Sequence, residues 1–123
     1  MKTHIAVEEG HAKFLRCIGE PTRLQILKLL IDNEKCVGEL AGALNKEQSL
    51  ISFHLRALKG CNIVKDRQKA QKVYYKLTDD RLATLIIESK ALMKELSLCK
   101  CQEVNYEGEG NQTSGEGEIC PNS

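Results

Sequence analysis

The apolar residues of this chain follow helical spacing as far as Gly60 and then change to a strand-like pattern for one short stretch. Beyond Gly60, two β-branched and aromatic runs at 62–66 and 72–77 flank a polar connector of residues 67–71, which predicts a hairpin with a basic tip. Before it, short amphipathic or apolar segments predict four helices, at 8–19, 21–32, 37–44 and 49–59. The inward faces of the first two helices are predicted to be His11, Phe14, Leu15 and Ile18, and Leu24, Leu27, Leu30 and Ile31.

A long fifth helix is predicted to begin at Asp79–Asp80. Its apolar stripe, which needs a partner subunit to cover it, is formed by Leu82, Leu85, Ile86, Leu92, Met93 and Leu96. The predicted fold class is therefore mainly α with a small β-hairpin, in the order α-α-α-α-β-β-α of a winged helix-turn-helix, and the protein is expected to be a dimer. Residues 1–102 are predicted to form one domain for DNA binding and dimerisation, and residues 103–123 an acidic, glycine-rich, disordered tail.

Charge is distributed unevenly although the net charge is only +1. Residues 46–76 contain eight Lys and Arg against two acidic residues, a local balance of +6, whereas residues 102–123 contain five acidic residues and no basic one. A basic block of this kind is expected of a surface that binds a polyanion.

The sequence also excludes several classes of protein. The N-terminus lacks the apolar core of a signal peptide and no apolar run could span a bilayer, so we expect a cytoplasmic protein without membrane contact. Six cysteines in a reducing compartment are expected to bind metal, to sense redox state or to remain free, and not to form a disulfide framework. No catalytic constellation or phosphate-binding loop is present, so the chain is not predicted to be an enzyme.

The fourth helix has two faces of different character. Ile51, Leu55 and Leu58 point to one side, and the residues predicted to meet DNA in the major groove point to the other side or lie at its margins: Gln48, Ser49, Ser52, Phe53, Arg56 and Lys59. Gln and Arg suit base edges, whereas Ser and Lys suit phosphates. In the hairpin, Arg67, Lys69 and Lys72 are predicted to follow the DNA backbone or to enter the minor groove as a wing.

Three segments carry a family resemblance: residues 20–30, which begin Glu-Pro-Thr-Arg and continue with apolar residues, residues 48–64 and residues 73–77. They resemble the characteristic opening, the recognition helix and the wing of the ArsR/SmtB family of metal-sensing repressors. The resemblance covers roughly residues 10–97. It implies a dimer formed by the first and last helices, a double-stranded operator with two half-sites, and release of DNA when an effector binds.

The family's known effector sites match this chain only in part. Its zinc site on the last helix requires histidines, and the sequence contains no histidine C-terminal to His54. His54 itself is expected to be a hydrogen-bonded packing residue. The family's Cys-Val-Cys motif on the third helix corresponds to Cys36 and Gly38, so only one thiol remains, as a free core residue or a third ligand. Cys17 and Cys61 are expected to be buried or half-buried thiols.

Cys99 and Cys101 follow the last apolar turn, where residues two apart can share an ion once the helix has ended. Cys120, on a flexible tether, supplies a possible third thiolate. Three thiolates suit As(III) or Sb(III), and Cd(II) or Pb(II) less selectively, and an arsenic-responsive branch of the family has a cysteine cluster at this helix end. The predicted function is a repressor released by As(III) or a related thiophilic ion. The alternative is a redox- or persulfide-sensing repressor of the same fold that switches by disulfide formation.

Overall fold

The structure, a computed structural model, describes the backbone of residues 2–96 and the side chains of residues 6–96. The elements are α1 (Lys2–Ile18), α2 (Pro21–Asp32), β1 (Lys35–Cys36), α3 (Val37–Leu44), α4 (Gln48–Gly60), β2 (Val64–Lys69), β3 (Lys72–Leu77) and α5 (Asp80–Leu96). The predicted fold class, four helices, a hairpin and a long last helix, is confirmed. None of the described helices has the length and apolarity needed to cross a membrane.

The chain divides into two compact units, residues 1–84 and residues 85–123, and of the second unit the structure describes the α5 segment 85–96. The predicted tail, residues 103–123, lies outside the described residues. The division between a 1–102 domain and that tail therefore stays a prediction.

The start of α2 is fixed by local chemistry. Pro21 occupies its first position, where a missing N–H costs nothing, and the Glu20 carboxylate accepts a hydrogen bond from the Arg23 backbone N–H at 2.9 Å. The predicted bounds of α2 are confirmed. The first helix, in contrast, begins at Lys2 and not near residue 8, so the predicted start was wrong.

The three strands form an antiparallel sheet in the order β1-β3-β2. The two-residue strand β1 was not predicted, because a run this short shows no period. The hairpin connector was predicted too long: residues 67–69 belong to β2, and only Ala70 and Gln71 form the turn. Ala70 has a φ of 59°, in the left-handed region that few non-glycine residues adopt. Arg67 and Lys69 are therefore strand residues and not tip residues.

The core is formed by α2, α3, α4 and the residues at the start of the hairpin. Its fully buried large side chains are Ile26, Leu27, Leu40, Ile51, Leu55, Leu58, Ile63 and Val64. The predicted inward faces were partly wrong: His11 and Leu15 are exposed, and Leu24 and Ile31 are only half-buried. Leu24 and Ile31 are less buried than expected because α2 contacts α1, α3, α4 and β3. Neighbours on several sides therefore decide which α2 side chains are buried, and these include Ile26.

Helix α5 carries large apolar side chains on its surface. Ile87, Leu92, Met93 and Leu96 are each more than half exposed, at 54%, 54%, 52% and 69%. The predicted stripe is thus only partly covered within the described residues, since Leu82 is buried whereas Leu92, Met93 and Leu96 are not.

Candidate nucleic-acid interface

The turn between α3 and α4 is closed by a left-handed residue. Asn45 has a φ of 57° and ψ of 49°, and asparagine tolerates this conformation better than most residues. The backbone N–H groups of Asn45 and Lys46 donate to Gly42 O and Ala41 O at 3.3 and 3.0 Å, which satisfies the last carbonyls of α3. This tight turn sets the direction of α4 relative to α3, and the two helices with their turn form a helix-turn-helix.

Helix α4 separates an apolar face from a polar one. Ile51, Leu55 and Leu58 are 0% exposed, so the helix is anchored firmly along one side. The predicted DNA-contacting side chains lie at the surface: Gln48, Ser49, Phe53, Arg56 and Lys59 are exposed, and Ser52 is half-buried. Phe53, 53% exposed, is a large aromatic ring held at the protein surface. A rigid helix that presents amide, hydroxyl and guanidinium groups is suited to a DNA groove.

Two of the predicted DNA-contacting cations already have acidic partners. The Lys59 ammonium donates to Asp66 Oδ2 at 2.9 Å, which joins α4 to β2 and raises the pKa of Lys59. The Arg67 guanidinium makes a bidentate pair with Glu34, with an Nε–Oε1 distance of 2.8 Å. That pair holds the pKa of Glu34 below its usual value, chiefly through the hydrogen bond. The two pairs fix the hairpin relative to α4 and to the end of α2.

The remaining cations of the predicted interface are not paired in this way. Lys69 places its Nζ 5.9 Å from the centre of the Tyr74 ring, a cation–π contact across the hairpin. Within residues 6–96, Arg56 and Lys72 make no ion pair. Their positive charges are therefore available to an external anion.

His54 has the structural role that the sequence predicts. It is buried on the inner side of α4, and its Nδ1 accepts a hydrogen bond from Arg23 Nε at 3.0 Å. Burial lowers its pKa, an effect that Glu20 partly opposes, so the ring is neutral near pH 7. The ring thus joins α4 to α2.

Cys36 lies at the start of α3, where its thiol is buried and its backbone N–H donates to Glu39 Oε1 at 3.0 Å. Cys17 is buried and Cys61 half-buried, as predicted, and none of these three cysteines is in a disulfide. Cys99, Cys101 and Cys120 lie outside the described residues. Among the residues that the structure describes, no group of three His, Cys, Asp or Glu side chains is placed to hold a metal ion.

Sequence reasoning missed two residues that shape this surface. Glu34 binds Arg67 from a position 33 residues away, and Arg23 binds His54 from 31 residues away. The only signal for Arg23 was its place in the Glu-Pro-Thr-Arg segment, and we find no local signal for Glu34.

Comparison with known proteins identifies a family. The sequence profile of the bacterial regulatory proteins of the arsR family matches residues 20–66. An uncharacterised helix-turn-helix transcriptional regulator of Methanocaldococcus jannaschii is 42% identical over 79 residues, which cover 63% of this chain and 89% of that protein. The transcriptional repressor SmtB of Mycobacterium tuberculosis is 34% identical over 68% of this chain, and the match spans 62% of that repressor. A probable mercury resistance operon repressor of Streptomyces lividans is 30% identical over 80% of each chain.

The fold has the same relatives. A homodimeric winged helix-turn-helix DNA-binding domain of Mycobacterium bovis, described as a possible ArsR-family regulator, superposes with a TM-score of 0.71 at 26% identity. The superposition covers 77% of this chain and 88% of that domain. These relatives are regulators of transcription and not enzymes. The chain therefore belongs to the arsR family of winged helix-turn-helix transcriptional regulators.

Proposed function

We propose that this protein is a transcriptional repressor that binds double-stranded operator DNA as a homodimer and leaves it when a thiophilic ion, foremost As(III), binds its cysteine thiolates. The observation that carries the DNA-binding part is the division of α4, whose apolar side chains are fully buried while its polar side chains face outward. A surface helix without a ligand needs no such set of amide, hydroxyl and guanidinium groups beside a basic hairpin.

In this proposal α4 lies in the major groove. Gln48 and Arg56 meet base edges, where each bidentate contact discriminates by about 1–3 kcal/mol. Phosphates are held by Ser49, Ser52 and Lys59, with Phe53 at the margin of the contact. In the wing, Arg67, Lys69 and Lys72 follow the DNA backbone.

The homodimer is supported by the exposed apolar side chains of α5. Ile87, Leu92, Met93 and Leu96 in water are costly unless a second copy covers them. The similar M. bovis domain is a homodimer. Sedimentation of the full chain at micromolar concentration is expected to give a dimer, and a monomer there would contradict the proposal.

The effector part of the proposal rests on cysteine chemistry. Cys99 and Cys101, with Cys120 as third ligand, offer three soft thiolates, which suit As(III) and Sb(III) and, less selectively, Cd(II) and Pb(II). One relative is named as a probable mercury resistance operon repressor, which is in keeping with a thiophilic ligand for this chain. Cys36 is the competing third ligand, although its buried thiol lacks a second cysteine at Gly38.

Release requires that the ion bind the DNA-free dimer more tightly than the DNA-bound one, because a ligand shifts an equilibrium only by that difference. The ligand pair follows directly on α5, the helix that carries the proposed dimer surface. Closing a thiolate site there would change the angle between the two α4 helices of the dimer.

The test is release of labelled operator DNA, first selected from a random library and then followed by anisotropy during titration with As(III). The double change Cys99→Ser and Cys101→Ser is expected to keep DNA affinity and abolish release. Cys36→Ser is the matched control and should still respond. A Cys36→Ser protein that no longer responds, while the double variant does, would overturn the assignment. Release that a thiol reductant reverses and a chelator does not would favour the disulfide alternative.

A further inference from the structure

Two large apolar side chains lie at the surface of α4. Leu50 is 40% exposed and Phe53 is 53% exposed, although the apolar side chains on the other side of the helix are fully buried. The two residues are three positions apart, so their side chains are neighbours on the helix surface. Because α4 already buries a complete apolar face, the core does not account for this exposed pair.

The Phe53 ring is held in place by a buried neighbour. Its centre lies 5.3 Å from that of the His54 ring, and the two planes meet at 73°, an edge-to-face arrangement. His54 is buried and is itself fixed by the hydrogen bond from Arg23 Nε. Phe53 is therefore a pre-positioned aromatic ring, and little side-chain entropy is lost when a partner covers it.

The surroundings of this ring indicate what covers it. Ser49 is four positions before Phe53 and Arg56 is three positions after it, so these exposed side chains are its neighbours along the outward face of α4. Arg56 makes no ion pair within residues 6–96. An apolar protein surface on Phe53 would desolvate this guanidinium without a partner, whereas the major groove of DNA offers it base and phosphate acceptors. The apolar pair is thus continuous with the proposed DNA-contacting face.

We propose that Phe53, flanked by Leu50, reads the C5-methyl group of a thymine in each operator half-site. That methyl is the apolar group that base pairs present in the major groove, and a phenylalanine ring can contact it. The inference rests on the proposed function and replaces the marginal place of Phe53 in it with a direct contact to a base. Three residues of helix rise about 4.5 Å, so the thymine is expected within about two base pairs of the one that Arg56 contacts.

The test replaces thymine by deoxyuridine, which removes only the methyl group and keeps every hydrogen-bonding atom. Each thymine of an operator selected from a random library is replaced in turn, in both half-sites, and binding of the full chain is measured by anisotropy. Burial of one methyl group is worth about three- to fivefold in affinity, so replacement in both half-sites should weaken binding about nine- to 25-fold at the contacted position. Thymines outside the contact should show no change.

Substitutions at Phe53 identify the side chain that senses the methyl group. Phe53→Gln introduces a polar side chain and should bind the thymine and deoxyuridine operators equally, whereas Phe53→Leu stays apolar and should retain part of the preference. Leu50→Ala should reduce the preference. Arg56→Ala is the matched control on the same face, and it should bind more weakly but keep the full preference for thymine. Circular dichroism melts confirm that each variant is folded.

Three results would overturn the inference and leave the proposed function intact. The first is an operator in which no thymine methyl affects binding, and the second is a Phe53→Gln protein that keeps the full preference. The third is a Phe53→Gln protein whose DNA-free oligomeric state changes in sedimentation, because a second copy of the chain would then be what covers the ring. A chain that selects no operator from the library would overturn the proposed function as well.

Discussion

Arg56→Ala separates the DNA-contacting face of α4 from its structural face. Arg56 is exposed and makes no ion pair within the described residues, so the free protein gains little from its side chain. Its neighbour Leu55 is 0% exposed and belongs to the core. The two substitutions, one position apart on the same helix, are therefore expected to have opposite consequences.

The magnitudes follow from burial and charge. Removing the Arg56 side chain should change the free energy of unfolding by less than about 0.5 kcal/mol, as for other exposed positions. It should weaken specific DNA binding by about 1–3 kcal/mol per half-site, or about five- to 150-fold. Leu55→Ala leaves a cavity under α4 and should cost about 2–5 kcal/mol of stability.

The assays are urea unfolding and fluorescence anisotropy with a selected operator and a scrambled duplex. For Arg56→Ala we expect a normal unfolding curve, weaker operator binding and a smaller preference for operator over scrambled DNA. For Leu55→Ala we expect a lower unfolding midpoint. An Arg56→Ala protein with unchanged affinity and selectivity would refute the face that we assign to DNA.

Three further predictions concern the hairpin and the buried histidine. Lys72→Ala should weaken binding to operator and scrambled DNA by the same factor, because the wing is proposed to contact phosphates; a loss confined to the operator would be inconsistent with that role. Glu34→Gln removes the acid that holds Arg67 and should strengthen DNA binding severalfold in the same assay, whereas weaker binding would mean that the ion pair is needed to orient the wing. His54 has a pKa below 6.5 in the folded chain, so the unfolded chain binds more protons between that pKa and 6.5. Stability should therefore fall as pH drops below about 6.5, and His54→Gln should show a shallower loss in thermal melts.

The helices with strong end signals could be predicted from the sequence. Pro21 and the preceding Glu20 fix the start of α2, and α5 begins at Asp80 directly after Asp79, so both starts were found. The start of α1 was not found because no capping residue marks it. The faces of α4 were also predictable, since a single helix packed on one side has one clear apolar period.

What the sequence could not supply are contacts between distant residues. The Glu34–Arg67 pair depends on where the end of α2 meets the hairpin, and the contact of the Cys17 thiol with Ala57 O depends on where α1 ends beside α4. Neither follows from the residues near each partner. The hairpin connector was overestimated because residues 67–69, polar on an exposed strand, have no apolar alternation to mark them as β.

The ion pairs of Lys59 and Arg67 change how the basic block exchanges ions with water. A lysine or arginine that neutralises a phosphate ordinarily lets the DNA give up a condensed cation to the bulk. Lys59 and Arg67 are already paired with Asp66 and Glu34 in the free protein. When the two cations bind phosphates instead, these carboxylates remain close to the DNA and attract cations from solution. The entropy gained by ion release at those two positions is thereby reduced. The affinity for DNA should therefore fall less steeply with ionic strength than it would if all eight basic residues of 46–76 released a cation from the DNA.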